Sequence, residues 1–180
     1  LTFNLKVHHE EKIVHTDLVG DYNLSNVLCA ACIGYEFGLS LEEIIKGLEG
    51  YQSDNNRSEL KKTDRNTIIL DAYNANPSSM QVAILNFSNQ NGDKIAILGD
   101  MFELGETSEK EHQAISDYAE ELKLKCILVG EHFSKTNSYF DTYTTTEDLI
   151  KFLEGNTLSD TLILIKGSRG MKLEQIEKLL

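Results

Sequence analysis

The strongest constraint on the fold is a set of four short apolar segments that each end in a polar loop. The segments are residues 67–70, 94–98, 125–129 and 161–165, and helical patterns separate them. The loops that follow read DAYNANP, GDMFELG, GEHF and KGSRG. Strands joined through helices form a parallel sheet in which such loops leave from one edge. The sequence therefore predicts an α/β domain with a mostly parallel sheet, flanking helices and a ligand site at that edge.

Composition narrows the class of partner. The chain has 180 residues, 41% of them hydrophobic, with a net charge of −12. Nucleic acid is not expected as a partner, because its binding depends on Lys and Arg that neutralise phosphates. No apolar stretch reaches the roughly 18 residues that cross a bilayer, and no signal peptide is visible. The start at Leu1 rather than Met suggests a processed product or a piece of a longer protein.

The cysteines and histidines do not form a recognisable redox or metal motif. Cys29 and Cys32 match C-x-x-C, but the pair falls inside a helical pattern and not at a helix start after a strand. We expect buried helix positions for them, and with Cys126 they do not make a disulfide framework. The five histidines have no metal-ligand spacing.

The first 64 residues resemble the end of a larger domain. Weak alternation over residues 1–16 predicts a β-hairpin, and a helix then runs to about Phe37. Ser40 and Glu43 form a capping box for a second helix. The polar residues 51–66 are a linker or a flanking strand. The apolar face expected for the first helix consists of Leu24, Val27, Leu28, Ala31 and Tyr35.

Residues 65–180 form a pattern that is complete as a domain, and the boundary is predicted near residue 64. Pro77 suits an early helix position, and a final helix is expected from about Met171. Two further helices are expected to open on capping boxes, formed by Ser108 with Glu111 and by Thr145 with Asp148.

The segment 71–80 is the densest polar cluster. An Asp at a strand end, Asp71, can accept hydrogen bonds from a ribose diol, and the following helix start favours an anion. Asn74 and Asn76 offer donors and acceptors to a small polar ligand. The same residue types are common in turns, so local sequence leaves function and a plain turn equally supported.

Two other loops carry charged groups with structural alternatives. Lys166 and Arg169 suit an anionic group, or a solvated turn equally well. The GDMFELG loop, residues 99–105, could hold an ammonium group, but a loop packed by its own Met, Phe and Leu is favoured.

Three upstream residues have weaker signals. Asn23 and Asn26 lie three apart at a helix start, where simple capping is the favoured explanation. A lone Arg such as Arg57 is usually solvated, although it can reach a phosphate. Neither a G-x-S-x-G nucleophile elbow nor a G-x-x-x-x-G-K-[ST] phosphate loop is present.

Taken together, these motifs resemble the Mur ligase family. DAYNANPSSM, LGDMFELG and KGSRGM, in that order and spacing, are similar to its D-alanyl-D-alanine-adding branch. The upstream GDYNLSN resembles the family segment G-x-H-N-x-x-N, and the Arg57 region resembles the Arg that follows it. The resemblance implies that residues 1–64 are the incomplete end of the ATP-binding central domain and that residues 65–180 are the C-terminal Rossmann-like domain.

The resemblance also implies an activity. A ligase of this type uses Mg-ATP to activate the carboxylate of UDP-N-acetylmuramoyl-tripeptide as an acyl phosphate, and the amine of D-Ala-D-Ala then forms the amide. A bacterial cytoplasmic location and a role in peptidoglycan synthesis follow. The phosphate loop, the Mg²⁺-binding carboxylates, a carbamylated lysine and the UDP-sugar domain of the family do not occur here. The chain alone is therefore predicted to be inactive.

Site residues follow by position from the resemblance. Asn23 and Asn26 are assigned to the nucleotide, with Asn26 near the adenine; Arg57 lies near the phosphates as the catalytic candidate; and Asp71 holds the ribose. Tyr73, Asn74 and Asn76 are assigned to the dipeptide side of the cleft. Lys166, Ser168 and Arg169 are assigned to the dipeptide carboxylate or to the closed state.

One departure and two alternatives remain. Tyr22 stands where the family often has His, so no role of that His is carried over. Another amide ligase of the Mur or folylpolyglutamate type is an alternative, against which DAYNANP argues. A non-catalytic nucleotide-binding module with a Rossmann-like fold is a second, against which the incomplete first 64 residues argue.

Overall fold

A computed structural model of the chain describes residues 1–18, 20, 23–51 and 56–180. The chain divides into two units, Leu1–Asp54 and Asn55–Leu180. Within the described residues, no helix is long and apolar enough to span a membrane. Each unit has its own hydrophobic cluster.

The first unit contains a hairpin and two helices. β1 (Thr2–Val7) pairs antiparallel with β2 (Glu10–His15), which confirms the predicted hairpin. The helices are α1 (Leu24–Glu36) and α2 (Leu41–Glu49). The capping box predicted at the start of α2 is present, because the Ser40 side chain accepts from the Glu43 amide and the Glu43 side chain accepts from the Ser40 amide.

The predicted apolar face of α1 is only partly buried. Val27 and Ala31 are buried, whereas Leu28 and Tyr35 are exposed. The two cysteines of the C-x-x-C motif are also exposed, so the prediction of buried positions for them was wrong. The reason is that α1 packs on α2 along one narrow stripe, and the described residues of this unit do not cover its remaining faces.

The second unit is a six-stranded sheet with the order β3-β4-β8-β5-β6-β7. β3 runs antiparallel to β4, and the other neighbours are parallel, which confirms the predicted mostly parallel sheet. The strands are β3 (Glu59–Lys62), β4 (Thr67–Asp71), β5 (Lys94–Gly99), β6 (Cys126–Val129), β7 (Asp141–Tyr143) and β8 (Leu162–Lys166). β7 was not predicted.

Helices cover this sheet. They are α3 (Pro77–Ser88), α4 (Ser108–Glu121) and α5 (Thr146–Gly155). Shorter 3₁₀ turns lie at Gly105–Thr107, Phe133–Lys135, Arg169–Met171 and Leu173–Leu179. Ile68, Ile97, Ile163 and Ile165 are fully buried in the core, where each such side chain contributes roughly 1.5–3 kcal/mol.

Two helix starts in this unit test the predicted caps. Thr145 caps α5 as predicted, since its side chain accepts from the Asp148 amide. The cap predicted at Ser108 was wrong: the turn Gly105–Thr107 runs directly into α4, so Ser108 lies inside the helix and is buried. In place of the final helix expected from about Met171 there are 3₁₀ turns, which Lys172 separates in a left-handed conformation.

The division between the units falls before the boundary predicted at residue 64. β3 pairs with β4, and this places Glu59–Lys62 in the sheet of the second unit. The described part of the polar segment 51–66 therefore contains a flanking strand, one of the two predicted alternatives. That the first 64 residues end an ATP-binding domain stays a prediction.

Candidate functional site

The candidate site lies at the carboxyl ends of β4 and β8, which are neighbours in the sheet. The two strands are parallel, with Asp71 opposite Lys166 in the register. The DAYNANP and KGSRG loops therefore leave the sheet side by side, as the sequence predicts. These loops carry most of the predicted site residues.

A buried ion pair joins the two loops. The Lys166 Nζ atom lies 2.7 Å from Asp71 Oδ2, and it also donates to the Asn74 carbonyl at 3.2 Å. The Lys166 side chain is 3% exposed and the Asp71 side chain 15%. An ammonium group at this depth requires a nearby anion, and Asp71 supplies it.

Two guanidinium groups lie near the Tyr73 ring. Arg57 Cζ is 4.0 Å from the centroid of the Tyr73 ring and Arg169 Cζ is 5.4 Å from it. The negative face of an aromatic ring attracts cations at these distances. The ring is half-buried and both arginines are exposed, so the contact brings two predicted cations to one aromatic platform at the sheet edge.

The two predicted asparagines are exposed, and each is involved in local structure. Asn74 Oδ1 accepts from the Ala75 amide at 2.8 Å. Asn76 caps α3: its Oδ1 accepts from the Ser79 amide at 2.8 Å, and its own amide donates to Ser79 Oγ at 3.1 Å. Asn76 therefore has a capping function whether or not it also contacts a ligand.

Ser168 fastens the KGSRG loop to the loop that follows β5. Its Oγ accepts from the Phe102 amide at 2.9 Å, and its own amide donates to the Asp100 carbonyl at 3.0 Å. Ser168 is buried. The backbones also approach closely, since a Cβ on Gly167 would lie 3.1 Å from Gly99 Cα. Sequence reasoning did not identify Phe102 as a partner, because its contact is made by the backbone.

Both carboxylate oxygens of Asp100 accept hydrogen bonds inside the fold. Its Oδ2 accepts from the His132 amide and its Oδ1 from the Phe133 amide, both at 2.9 Å. The side chain is 2% exposed. Gly130 makes room for it, because a Cβ there would lie 2.1 Å from Asp100 Cγ. Asp100 therefore shapes the loop and does not present a free carboxylate to an ammonium group, which favours the structural explanation of GDMFELG.

His112 is a buried neutral imidazole beside Asp100. Its Nδ1 donates to the Ser108 carbonyl at 2.7 Å, and its Nε2 accepts from the Met101 amide at 2.9 Å. Burial lowers the pKa of His112 below its ordinary value, against the raising effects of the Ser108 carbonyl and Asp100. The 3.5 Å approach of His112 to Asp100 is therefore not an ion pair. The i, i+4 spacing of Ser108 and His112 was the available sequence signal.

A cleft of about 390 Å³ lies between the loops after β5 and β6 and the start of α5. Its lining includes Asp100, Phe102, His132, Thr145 and Lys172. None of the ten predicted site residues lines it. Within the described parts of the chain, no group of three His, Cys, Asp or Glu side chains could hold a metal ion.

The remaining predicted residues belong to the first unit. Asn23 precedes α1 without a side-chain cap, so the capping explanation was wrong. Asn23 is buried, and its Oδ1 accepts from Asn26 Nδ2 at 3.2 Å, while Asn26 itself is exposed. The substitution of Tyr22 for the family His falls outside the described residues.

The fold and the site define an open α/β domain with charged loops at the carboxyl edge of a mostly parallel sheet. Residues 56–169 match the family described as "Mur ligase, glutamate ligase domain". The chain belongs to the Mur ligase family.

The chain is similar to ligases of Bacillus subtilis and Acinetobacter baumannii. The chain is 37% identical over 176 residues to the UDP-N-acetylmuramoyl-tripeptide–D-alanyl-D-alanine ligase of Bacillus subtilis, covering 89% of this chain and 38% of that protein. The solved UDP-N-acetylmuramoylalanyl-D-glutamyl-2,6-diaminopimelate–D-alanyl-D-alanyl ligase of Acinetobacter baumannii matches with a TM-score of 0.86 and 30% identity, over 98% of this chain and 40% of its own.

A more distant structure shows the same fold. The MurF ligase of Thermotoga maritima, solved in complex with ADP, has a TM-score of 0.81 at 20% identity, over 99% of this chain and 42% of its own. The chain thus spans about two fifths of the length of these three relatives.

Proposed function

We propose that the chain forms the end of the ATP-binding domain and the C-terminal domain of an ATP-dependent ligase. The ligase joins D-Ala-D-Ala to UDP-N-acetylmuramoyl-tripeptide during peptidoglycan precursor synthesis. The observation that carries the proposal is the pair of joined loops, DAYNANP and KGSRG, at the sheet edge. The chain that holds them is 37% identical to a UDP-N-acetylmuramoyl-tripeptide–D-alanyl-D-alanine ligase. A bacterial cytoplasmic location follows from this role and is part of the proposal.

The nucleotide side of the site is proposed to use Asp71 and Arg57. Among the described residues, Asp71 Oδ1 has no hydrogen-bond partner, so it can accept from a ribose hydroxyl. The exposed guanidinium of Arg57 is suited to phosphate oxygens. Bound ATP would supply the phosphoryl group that activates the tripeptide carboxylate. Asn23 and Asn26 are also proposed as nucleotide-binding residues.

The dipeptide side is proposed to use Arg169 with Tyr73, Asn74, Asn76 and Ser168. Arg169 is an exposed cation whose guanidinium is steadied by the Tyr73 ring, and a guanidinium binds a carboxylate through two parallel hydrogen bonds. The side-chain oxygens of Asn74 and Asn76 accept hydrogen bonds from nearby backbone amides. Their side-chain NH₂ groups are the donors proposed to contact the dipeptide. Ser168 supports the loop that carries Arg169 through its hydrogen bond from Phe102.

Mg²⁺ is proposed only as part of the bound Mg-ATP. No described residue is proposed as its ligand, since the described part of the chain holds no suitable cluster. The isolated chain is proposed to lack ligase activity, because the phosphate loop, the metal-binding carboxylates, the carbamylated lysine and the UDP-sugar domain of the family do not occur in it. An acyl phosphate reacts with water, so the complete enzyme must exclude water by closing over it.

The test is a ligase assay on the complete protein that contains this chain. We expect ADP to form only when ATP, UDP-N-acetylmuramoyl-tripeptide and D-Ala-D-Ala are all present, with the amide product identified by mass spectrometry. ADP formation with a single amino acid in place of the dipeptide would instead favour another amide ligase of the family. Dipeptide-dependent ADP formation by the isolated chain would overturn its proposed inactivity.

Arg169→Met tests the dipeptide side. Loss of a charge-assisted contact should raise the KM for D-Ala-D-Ala by about tenfold to 100-fold and leave the KM for ATP nearly unchanged. Lys172→Met is the matched control, because Lys172 is an exposed cation in the same segment that is not assigned to the site. Equal effects of the two substitutions would remove the assignment of Arg169.

A further inference from the structure

The ion pair between Lys166 and Asp71 changes what each residue can do. The two side chains end neighbouring parallel strands, and the Nζ–Oδ2 distance of 2.7 Å is that of a short charge-assisted hydrogen bond. Lys166 is 3% exposed. Its charge is therefore already paired inside the fold, and it is poorly placed to meet a carboxylate that arrives from solvent.

The same ammonium group fixes the course of the DAYNAN segment. Lys166 donates both to the Asp71 side chain and to the Asn74 carbonyl, which are the two ends of a four-residue segment. A free Asp carboxylate rotates about its terminal bond, and this rotation is broad. Holding Oδ2 removes that freedom and leaves Oδ1 as the one oxygen available to a ligand.

We propose that Lys166 is a positioning residue for the nucleotide, which presents Asp71 Oδ1 to one ribose hydroxyl, and that it does not bind the dipeptide. This inference rests on the proposed function, in which Asp71 holds the ribose. It replaces the assignment of Lys166 to the dipeptide carboxylate. It also implies that selectivity for a ribose hydroxyl depends on a side chain that never touches the nucleotide.

Ribose selectivity is the readout that separates positioning from general support. Dissociation constants for ADP, 2′-deoxyADP and 3′-deoxyADP are measured by calorimetry on the complete ligase. We expect the wild-type protein to bind ADP about tenfold or more tightly than the analogue that lacks the accepted hydroxyl. In Lys166→Met this ratio should fall towards one, while the KM for D-Ala-D-Ala stays within about twofold.

A matched lysine controls for loss of stability. Lys94 is the first residue of β5 and therefore lies at the amino ends of the parallel strands, away from the candidate site. Its Nζ atom donates to the carbonyls of Ser88 and Gln90. Lys94→Met removes a structural lysine without approaching Asp71, so it should lower stability and leave the ADP to deoxyADP ratio unchanged. A similar fall of the ratio in both variants would overturn the positioning role.

A second variant guards against unfolding of Lys166→Met. Lys166→Met with Asp71→Asn removes both charges, so no buried ion is left unpaired, and we expect it to fold and to lose ribose selectivity. Retained selectivity in a folded double variant would overturn the inference, because it would refute the ribose contact of Asp71 on which the inference rests. So would an unchanged ratio in Lys166→Met together with a tenfold rise in the KM for D-Ala-D-Ala.

The outcomes also separate this inference from the proposed function. A wild-type ligase that binds ADP and both analogues equally would refute the ribose contact of Asp71, and the role of Lys166 would fall with it. Ribose selectivity that is lost in Asp71→Asn but kept in Lys166→Met would leave the proposed function intact and refute only the role of Lys166.

Discussion

Two aspartates at strand ends in the same sheet have opposite surroundings. Asp71 ends β4, pairs with Lys166 through Oδ2 and leaves Oδ1 without a partner among the described residues. Asp100 follows β5, and both of its oxygens accept from backbone amides of His132 and Phe133. An acid at the ligand-binding edge of a sheet is therefore available to a ligand only where the adjoining loops leave one oxygen free.

Gly130→Ala should lower stability more than any other substitution proposed here, because it crowds the buried Asp100 carboxylate. The added Cβ would lie 2.1 Å from Asp100 Cγ, at a backbone φ of +129° that L side chains rarely adopt. We expect the free energy of unfolding to fall by about 3 kcal/mol or more, because the carboxylate must leave its amide partners. Urea denaturation of the isolated chain measures this loss.

Gly92→Ala is the matched control for backbone strain. Gly92 has a φ of +91°, and a Cβ there would have no heavy atom within 4 Å. This substitution should cost about 1 kcal/mol from conformation alone. If the two alanine variants lost equal stability, crowding of Asp100 would not be the cause.

Asp100→Asn should have the next largest effect. One of the two backbone amides would then face an NH₂ group in place of a carboxylate oxygen, in a site that is 2% exposed. We expect a loss of roughly 2–3 kcal/mol in the free energy of unfolding, from the same denaturation experiment. Asp93→Asn, at an exposed position before β5, should stay within about 0.5 kcal/mol of wild type. A small loss for Asp100→Asn would mean that the loop does not depend on its carboxylate.

Asn76→Ala tests whether Asn76, at the start of α3, only caps the helix or also binds the dipeptide. It removes the reciprocal cap with Ser79 and should cost about 1 kcal/mol. Asn86→Ala, at a half-buried position in the last turn of the same helix, should be neutral or slightly stabilising, because Ala is the better helix former. If Asn76→Ala also raises the KM for D-Ala-D-Ala in the complete ligase, the residue has both roles. An unchanged KM would restrict it to capping.

The sequence was sufficient for the four central strands of the sheet and for most of its helices. The strands β4, β5, β6 and β8 were predicted because their apolar runs are separated by helical patterns. β7 was missed because it is three residues long, with Asp141 and Thr142 exposed. No apolar run marks such a strand, so only its pairing with β6 reveals it.

The sequence located the site loops but not the contacts between them. Lys166 and Asp71 are separated by 95 residues, and only the strand register brings them together. Charge alone therefore suggested that Lys166 binds a substrate anion, whereas the fold supplies an internal anion. The arginine pair around Tyr73 was hidden for the same reason, because Arg57 precedes β3 and Arg169 follows β8.

The smallest expected effect concerns His112, which lies beside Asp100. Burial lowers the pKa of His112, so on acidification the unfolded chain takes up a proton before the folded chain does. The stability contributed by the neutral imidazole is fully present above the ordinary His pKa of about 6.5, and it is lost as the pH falls towards the lowered value. His112→Gln should therefore be less stable than wild type at about pH 7.5, and the difference should narrow at about pH 5.5.

Phe133→Leu separates titration from packing in this experiment. The Phe133 ring lies edge-on to His112, with the ring centroids 4.7 Å apart, and it does not titrate. Its substitution should lower the free energy of unfolding by a similar amount at both pH values, from lost packing alone. A gap between wild type and His112→Gln that widens on acidification would mean that the folded protein favours the imidazolium. The contact with Asp100 would then be an ion pair, and Asp100, like Asp71, would be held by a cation.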